Sequence, residues 1–394
     1  MTKRAHISRS SRADRKQPFL PALSALTEVP DFDKLLPTAT QREAYETCVA
    51  NLIATGAATR EQFELACVVR LDRGFPAVAA RSGVFRAEFA ARVTKGAGSR
   101  VAVGDWVCAR VPGEHDMGII AEILPRKSEI ARWQGSARGE KQTLAANIDT
   151  VFVVQALDKR EISIDRIVRS TVIALDSGIR VVVVLTKADA LDAALLKRSL
   201  TAIREVLDET VSVLVTSSKF EVFDDADCTE MQRAAHDFGA QWGIDAVRGE
   251  VPQGSVAMVL GESGAGKSTL LNALLGHDAL ETGEVRVSDR EGRHTTVARR
   301  MVSLPGAGVI VDEPGLRSLP VVGHECGLAR VFPKILSAAQ RCKFRDCTHT
   351  HEPGCAVQAA LQAGEFPSAR LEAYLLLARE MRSSAQQLDP DVVL

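Results

Sequence analysis

The sequence predicts three folded parts in series: a small β-barrel, an α/β unit on a mostly parallel sheet, and a cysteine-containing helical end. Three observations predict it. Short β-rich runs alternate with Gly and Pro from about Val68 to Ala131. Strand-like and helix-like segments then alternate from Ile148 to about residue 320, and three cysteines crowd one window after that. Closely spaced short strands imply a barrel, and alternation implies a parallel sheet covered by helices on both faces. A chain of 394 residues has room for two or three domains, and its 46% hydrophobic content can fill their cores.

The N-terminal stretch differs from all three. Residues 1 to 38 read as a tail, basic at Lys3, Arg4, Arg9, Arg12, Arg15 and Lys16 and interrupted by prolines further on. It is either a solvated segment or an arm that touches phosphate. Residues 40 to 66 read as helix, with Gly56 as a break. Residues 1–62 thus form an extension with helical character. No apolar core follows the basic Met1–Lys16, so the pattern is not that of a secretory signal. No uninterrupted apolar run approaches the roughly 18 residues of a membrane span. The expectation is a cytoplasmic protein with no membrane partner and a monomeric state.

The barrel is placed at 63–135. Its expected strands are Phe75–Ala80, Val84–Phe89, Val101–Val111 and Met117–Leu124, with turns at Gly74, Gly83, Gly104 and Gly113. Arg81, Arg86, Arg92, Lys95, Arg100 and Arg110 lie on or between them. An oligonucleotide-binding (OB-fold) barrel fits. The whole-chain formal charge of −1 neither favours nor opposes a nucleic-acid partner, because only local charge matters to such a surface.

The α/β unit is placed at 146–320. Strands are expected at Val151–Val154, Val181–Leu185, Val211–Val215, Val256–Leu260 and Val309–Val311. Helices are expected at 163–177 and 191–207, with a longer helical segment before Val256.

Directly after Val256–Leu260 comes Gly261-Glu262-Ser263-Gly264-Ala265-Gly266-Lys267-Ser268, followed by Thr269 and a helix to Leu275. This is the pattern G-x(4)-G-K-[ST] in the strand–loop–helix context it requires. Glycines let backbone N–H groups approach phosphate oxygens, and the helix N-terminus favours an anion. Lys267 is expected to bridge β- and γ-phosphates, and the Ser268 hydroxyl to coordinate Mg²⁺.

The base is read from a second motif. Strand Val181–Leu185 ends in Thr186-Lys187-Ala188-Asp189, a form of N-K-x-D. A carboxylate at Asp189 can accept guanine N1–H and N2–H, and the Lys187 stem can cover the base. Thr186 stands where Asn is usual, and some ties to the phosphate loop should be lost. Strand Val211–Val215 ends in Thr216-Ser217-Ser218-Lys219, similar to an S-A-K guanine loop. Both motifs sit at C-terminal strand ends, where α/β sheets bind ligands. Asp312-Glu313-Pro314-Gly315 fits D-x-x-G, with Asp312 holding Mg²⁺ through water and the Gly315 N–H sensing the γ-phosphate. Arg293-His294-Thr295-Thr296 precedes it, and Thr295 or Thr296 is the switch threonine that completes the Mg²⁺ shell. Leu316 occupies the place of a water-orienting Gln, so His294 is the candidate for positioning the attacking water.

GTP is therefore the expected nucleotide. A P-loop ATPase is the rival reading. The short interval from Lys267 to Asp312 and the lack of an LSGGQ-like signature oppose it. A nucleotide-binding RNA-binding module without significant turnover is the third reading, raised by Leu316. The guanine motif precedes the phosphate loop, the reverse of the usual order, which describes a circular permutation. Surface loops and termini make such a rearrangement feasible.

At the C-terminal end, 321–394, Cys342-x(4)-Cys347-x-His349-x(5)-Cys355 offers three thiolates and one imidazole. That is a closed tetrahedral set for one structural Zn²⁺, with His351 as a spare. Leu371, Tyr374, Leu375 and Ala378 share a helical face.

Barrel, permuted GTPase and Cys-Cys-His-Cys cluster, in that order, resemble the bacterial ribosome small-subunit-dependent GTPase A family over roughly 65–382. Arg370-Leu-Glu-Ala-Tyr374 adds to the likeness. The resemblance implies a circularly permuted α/β P-loop GTPase with an N-terminal OB-fold β-barrel and a C-terminal zinc-binding helical domain. It also implies hydrolysis stimulated by the small (30S) ribosomal subunit, contact with its rRNA, and a role late in that subunit's maturation. By motif position, GTP contacts fall on Thr186–Asp189 and Gly261–Thr269, and zinc on Cys342, Cys347, His349 and Cys355. The extension before residue 63 departs from the family's shorter N-terminus.

Overall fold

The structure is a computed structural model that describes residues 29–56, 59–71, 75–91, 93, 100–111, 117–134, 140–157, 162–217, 225–277, 299–312, 321 and 323–388. The basic tail positions, Arg92 and Lys95 lie outside these residues.

The chain enters along a short turn, Phe32–Lys34, and then forms α1 (Ala39–Ala54). Thr38 and Gln41 cap α1 reciprocally, each side chain taking the other's backbone N–H, which satisfies two of the donors a helix start leaves open. The expected helix to residue 66 ends instead at Ala54, where Gly56 (φ +70°) turns the chain. Phe63–Leu71 is strand β1. Its Cys67-Val68-Val69 run is buried between partners on both sides, and that pairing overrides the helical composition around it.

β1 pairs with β2 (Ala77–Ala80) and with β4 (Trp106–Arg110); β3 (Gly83–Phe89) and β5 (Gly118–Ile123) complete the ring β1-β2-β3-β5-β4. The β1–β4 rungs, Phe63↔Arg110 to Cys67↔Trp106, close it. Ala66, Val68, Val78, Ala80, Ala87, Val107, Ala109 and Ile120 fill the barrel. Mostly small and β-branched side chains suit so narrow an interior. A hairpin that the pattern did not predict, β6 (Glu129–Gln134) and β7 (Glu140–Ala146), leads from the barrel to the next unit.

That unit runs β8 (Thr150–Ala156), α2 (Ile164–Asp176), β9 (Arg180–Thr186), α3 (Ala193–Val206), β10 (Ser212–Val215) and α4 (Asp225–Asp237). It continues β11 (Gln241–Trp242), α5 (Ile244–Gly249), β12 (Val256–Leu260), α6 (Lys267–Leu275), β13 (Arg299–Ser303) and β14 (Val309–Asp312). The expected single helical segment before Val256 is thus broken by β11. Strands lie in the order β11-β10-β9-β8-β12-β14-β13, all parallel except β13. Phe152, Val154, Val182, Val184 and Val259 face Leu270, Leu271 and Leu274 of α6. Val151, Val153, Val181, Val183 and Leu260 face the α2–α3 side. Burial on both faces explains why these strands read as unbroken apolar runs.

β13 also pairs with barrel strand β1, through Arg70↔Arg300 and Leu71↔Arg299, so barrel and α/β unit share one sheet. The N-terminal segment straps the same junction. Phe32 meets Trp106 edge-on at 5.8 Å, the Lys34 ammonium donates to Ser303 Oγ at 2.7 Å, and Leu35 bridges to Gly254. Gln41, 1% exposed, donates to Asn147 Oδ1 (2.9 Å) and the Pro125 carbonyl (3.0 Å). Asn147 (φ +58°) in turn donates to the Gly104 carbonyl.

The C-terminal part comprises α7 (Glu325–Val331), α8 (Pro333–Ala339), α9 (Ala356–Gln362) and α10 (Ser368–Leu388). It docks on α2 and α3. The Gly327 N–H donates to Asp176 at 2.8 Å, and a Cβ at Gly327 would collide with the Val172 carbonyl. Arg169 of α2 pairs with Glu380 of α10. Leu371, Tyr374 and Ala378 are buried on the inner face of α10, with Leu375 half-buried beside them.

Candidate functional site

Three candidate loci follow the strand ends. The first is the loop after β12. Gly261 passes so close to β8 that a Cβ there would sit 2.5 Å from the Val154 carbonyl. Gly264 and Gly266 have φ of +81° and +85°, which other residues adopt only with strain. The chain is thereby bent into the start of α6, whose first-turn N–H groups have no intrahelical acceptor. Ser268 and Thr269 lie in that first turn, half-buried. The Lys267 ammonium folds back onto the Gly261 and Glu262 carbonyls at 2.6 and 2.5 Å. Burial holds its pKa below the ordinary lysine range, and Asp312 and Glu262 oppose that shift. Asp312 ends β14, the parallel neighbour of β12. Burial pushes its carboxyl up, against the pull of Arg300 and Lys267. A half-buried cation and a half-buried anion, each shifted by burial against its neighbours' charges, thus flank the loop. Triphosphate and a divalent cation supply the missing charges, so the residues fit a magnesium nucleotide.

The second locus is the end of β9 and β10. Thr186 closes β9, and its hydroxyl donates to the Ala265 carbonyl of the phosphate loop at 2.7 Å. The expected loss of ties at this position is thus partial: a hydroxyl makes the link that an amide would make. Lys187 takes a left-handed conformation (φ +58°) and is exposed; Ala188 is buried and donates its N–H to the Thr216 carbonyl at 3.2 Å. The Ser217 hydroxyl donates to the Asp189 carboxylate and orients it. Thr186–Asp189, Ser217, Gly261–Thr269 and Asp312 therefore share one edge of the sheet, at the C-terminal ends of parallel strands. Ser218, Lys219, His294, Thr295, Thr296, Gly315 and Leu316 lie outside the described residues.

Two contacts escaped sequence reading, the first at this edge and the second at the far end of α6. Arg166 of α2 pairs with Glu262 of the loop, and the Arg248 guanidinium holds the end of α6 through the Leu274 carbonyl at 2.7 Å. Neither has a local signal, since each partner is remote in sequence.

The third locus is the cysteine cluster. The ligand atoms of Cys342, Cys347, His349 and Cys355 all lie within 4.8 Å of one another. Cys342 Sγ and Cys355 Sγ are each 3.6 Å from His349 Nδ1 and 3.9 Å apart. Tetrahedral zinc with bonds of about 2.3 Å to sulfur and 2.0–2.1 Å to nitrogen requires separations of about 3.8 and 3.6 Å. The donor set and its spacing fit that ion. His349 is the inward histidine; it is buried, and burial keeps its imidazole below the usual pKa, in the neutral form a metal needs. The spare, His351, is exposed and meets Thr350 Oγ1 at 2.9 Å. Gln358 Nε2 donates to the His349 carbonyl at 2.6 Å, and the Glu352 carboxylate takes the N–H groups of Thr348, Thr350 and His351. Tyr374 carries the cluster on α10, its ring 6.2 Å from His349 and 5.7 Å from Phe332.

On the barrel, Phe75 before β2 and Phe89 at the end of β3 are exposed, Arg86 lies half-buried on β3 and Arg81 is exposed in the β2–β3 turn. Arg86 donates to the Phe75 carbonyl at 2.6 Å, and Arg81 lies 5.6 Å from the Phe32 ring of the strap. No helix among the described residues is long and apolar enough to cross a membrane.

Comparison with known proteins converges on one family. The profile described as RsgA GTPase matches residues 123–322. The small ribosomal subunit biogenesis GTPase RsgA of Streptomyces avermitilis is 39% identical over 322 residues, covering 82% of this chain and 80% of that protein. The crystal structure of YjeQ from Thermotoga maritima superposes with a TM-score of 0.56 at 22% identity, covering 81% of this chain and 99% of the other. That of YloQ, described as a circularly permuted GTPase, gives 0.52 at 22% identity, covering 83% and 99%.

Proposed function

This chain belongs to the RsgA GTPase family, and we propose that it hydrolyses GTP in response to the small (30S) ribosomal subunit, late in that subunit's maturation. The observation that carries the reading is the single strand-end edge on which Lys267, Asp312 and the Thr186–Asp189 motif meet. In this reading Asp189, held by Ser217, accepts guanine N1–H and N2–H, and Lys187 covers the base. The loop N–H groups of Gly261–Thr269 and the Lys267 ammonium hold the phosphates. Ser268, Asp312 through water, and Thr295 or Thr296 would hold Mg²⁺, which supplies charge neutralisation at the β- and γ-phosphates. The Gly315 N–H senses the γ-phosphate, Ser218 and Lys219 complete the base pocket, and His294 orients the attacking water.

Cys342, Cys347, His349 and Cys355 hold one structural Zn²⁺. The division of labour follows the parts: an extension over 1–62, the barrel over 63–135, the permuted GTPase over 146–320 and the zinc-binding helical part over 321–394. Arg81, Arg86, Phe75 and Phe89, on and around the β2–β3 hairpin, give the barrel groups that could face rRNA, since flat aromatics stack on bases and guanidinium groups meet phosphate. The protein works as a cytoplasmic monomer, consistent with the named role of its relatives in subunit biogenesis.

The test is turnover of GTP and of ATP, alone and with purified small subunits, beside Asp189→Ala. Subunit-stimulated turnover of GTP alone, lost in the variant, is the expected result. Equal ATP turnover, or no stimulation, overturns the assignment of base or partner.

A further inference from the structure

The phosphate loop carries an acid of its own. Glu262 stands directly after Gly261, half-buried. Its carbonyl accepts the Lys267 ammonium at 2.5 Å. Burial lowers the Lys267 pKa, and Asp312 and then Glu262 oppose that shift, so the Glu262 carboxylate lies within electrostatic reach of the ammonium. A carboxylate so placed disfavours an anionic ligand twice over. It repels phosphate, and it can take the ammonium in an ion-paired hydrogen bond that a phosphate must then displace. The compensation comes from α2. Arg166 pairs with the Glu262 carboxylate from the first turn of that helix. A cation in a first turn opposes the helix dipole, so the helix itself gains nothing from it there. Arg169, three residues on, is taken by Glu380 and Asp165. Among the described residues, Arg166 is the cation paired with Glu262.

We propose that Arg166 is a positioning residue for the phosphate site: it holds and neutralises the Glu262 carboxylate, which would otherwise compete with phosphate for Lys267. With Glu262 held, the ammonium rests on the Gly261 and Glu262 carbonyls, neutral acceptors that an anionic ligand displaces. Arg166 acts through Glu262 and makes no contact with the nucleotide. The effect is electrostatic and bears on phosphate, so it is the same for guanine and adenine nucleotides, grows with the number of phosphates and weakens with salt. This inference rests on the reading of the loop after β12 as a phosphate site.

The test measures binding of fluorescently labelled GDP and of a labelled non-hydrolysable GTP analogue to the full chain, at low and at high salt. The chains compared are wild type, Arg166→Ala, Glu262→Gln and the double variant. At low salt Arg166→Ala should weaken GDP binding roughly threefold and binding of the GTP analogue roughly tenfold, the scale of Coulomb energies between partly hydrated charges. High salt should shrink both losses. In the Glu262→Gln background the loss should vanish, because no carboxylate is left to hold. The two side chains are 52% and 39% exposed, so the nucleotide-free Tm of Arg166→Ala should barely move. Glu262→Gln alone reads the same carboxylate from the other side: it should bind both ligands at least as tightly as wild type, a result that stands even if Arg166→Ala fails to fold. No loss in Arg166→Ala, or weaker binding in Glu262→Gln, overturns the proposal. So does an equal loss from Arg166→Ala in both backgrounds, which would mean that Arg166 meets the nucleotide itself or only supports the fold. Wild-type protein that binds neither ligand would instead overturn the phosphate-site reading.

Discussion

The cysteine cluster and the phosphate loop are both tight turns crowded with polar groups, yet they are built to opposite ends. In the cluster every partner points inward: Cys342, Cys347, His349 and Cys355 converge, and Gln358 and Glu352 satisfy the surrounding backbone. At the loop the polar groups are left short. The Lys267 ammonium hydrogen-bonds to carbonyls, and burial shifts Lys267 and Asp312 toward their neutral forms against the pull of each other's charge. A centre that stabilises a fold can be closed. A centre that must take up and release an anion has to keep part of its electrostatic demand unmet.

The comparison breaks first at the cluster if it breaks anywhere. Cys355→Ser should cost the most, on the order of several kcal/mol, because the free energy of metal binding is folding free energy for such a site. Expected readouts are loss of stoichiometric zinc by metal analysis and a Tm lowered by about 10 °C. An unchanged Tm would show that the cluster does not hold the helical end together. Lys267→Ala should act in the opposite sense. It should weaken guanine-nucleotide binding roughly a hundredfold, the worth of lost charge-assisted hydrogen bonds. The nucleotide-free Tm should stay the same or rise, since a half-buried charge that burial disfavours is removed. A clear fall in nucleotide-free Tm would place Lys267 among the structural groups.

The smallest effect is a pH slope. The folded-state pKa of Lys267 lies below the ordinary value of 10.5. Between those two values the unfolded chain binds the proton and the folded chain does not, so stability should rise with pH across that window. Denaturant titrations of wild type and Lys267→Ala at several alkaline pH values should differ by that rising increment. Parallel curves would refute it.

What could be read from the sequence was whatever keeps its partners close along the chain. The phosphate loop, the T-K-A-D turn and the four zinc-type ligands are each short runs, and the structure brings each run together. His349, with His351 as a spare, is the ligand the sequence favours, and it is the histidine that the structure brings to the three cysteines. The elements that escaped notice have remote partners. The first residues of β1, Phe63–Ala66, continue the helical composition before them, and their pairing with the Trp106–Arg110 strand lies far along the chain. β13 is five residues with two arginines, and its strand character comes from neighbours on both sides. The Thr186 hydroxyl bond to Ala265 spans a long sequence separation, so the substitution of Asn looked like a simple loss.

β13 begins three residues after Thr296, the last residue of the run that carries His294, Thr295 and Thr296. One of its edges is zipped to the strand that ends in Asp312; the other meets the barrel, among the described residues, through two register pairs, and its far end is bonded to Lys34. β13 therefore makes the barrel and the strand that ends in Asp312 neighbours across five residues, with Lys34 of the N-terminal segment bonded to its last one.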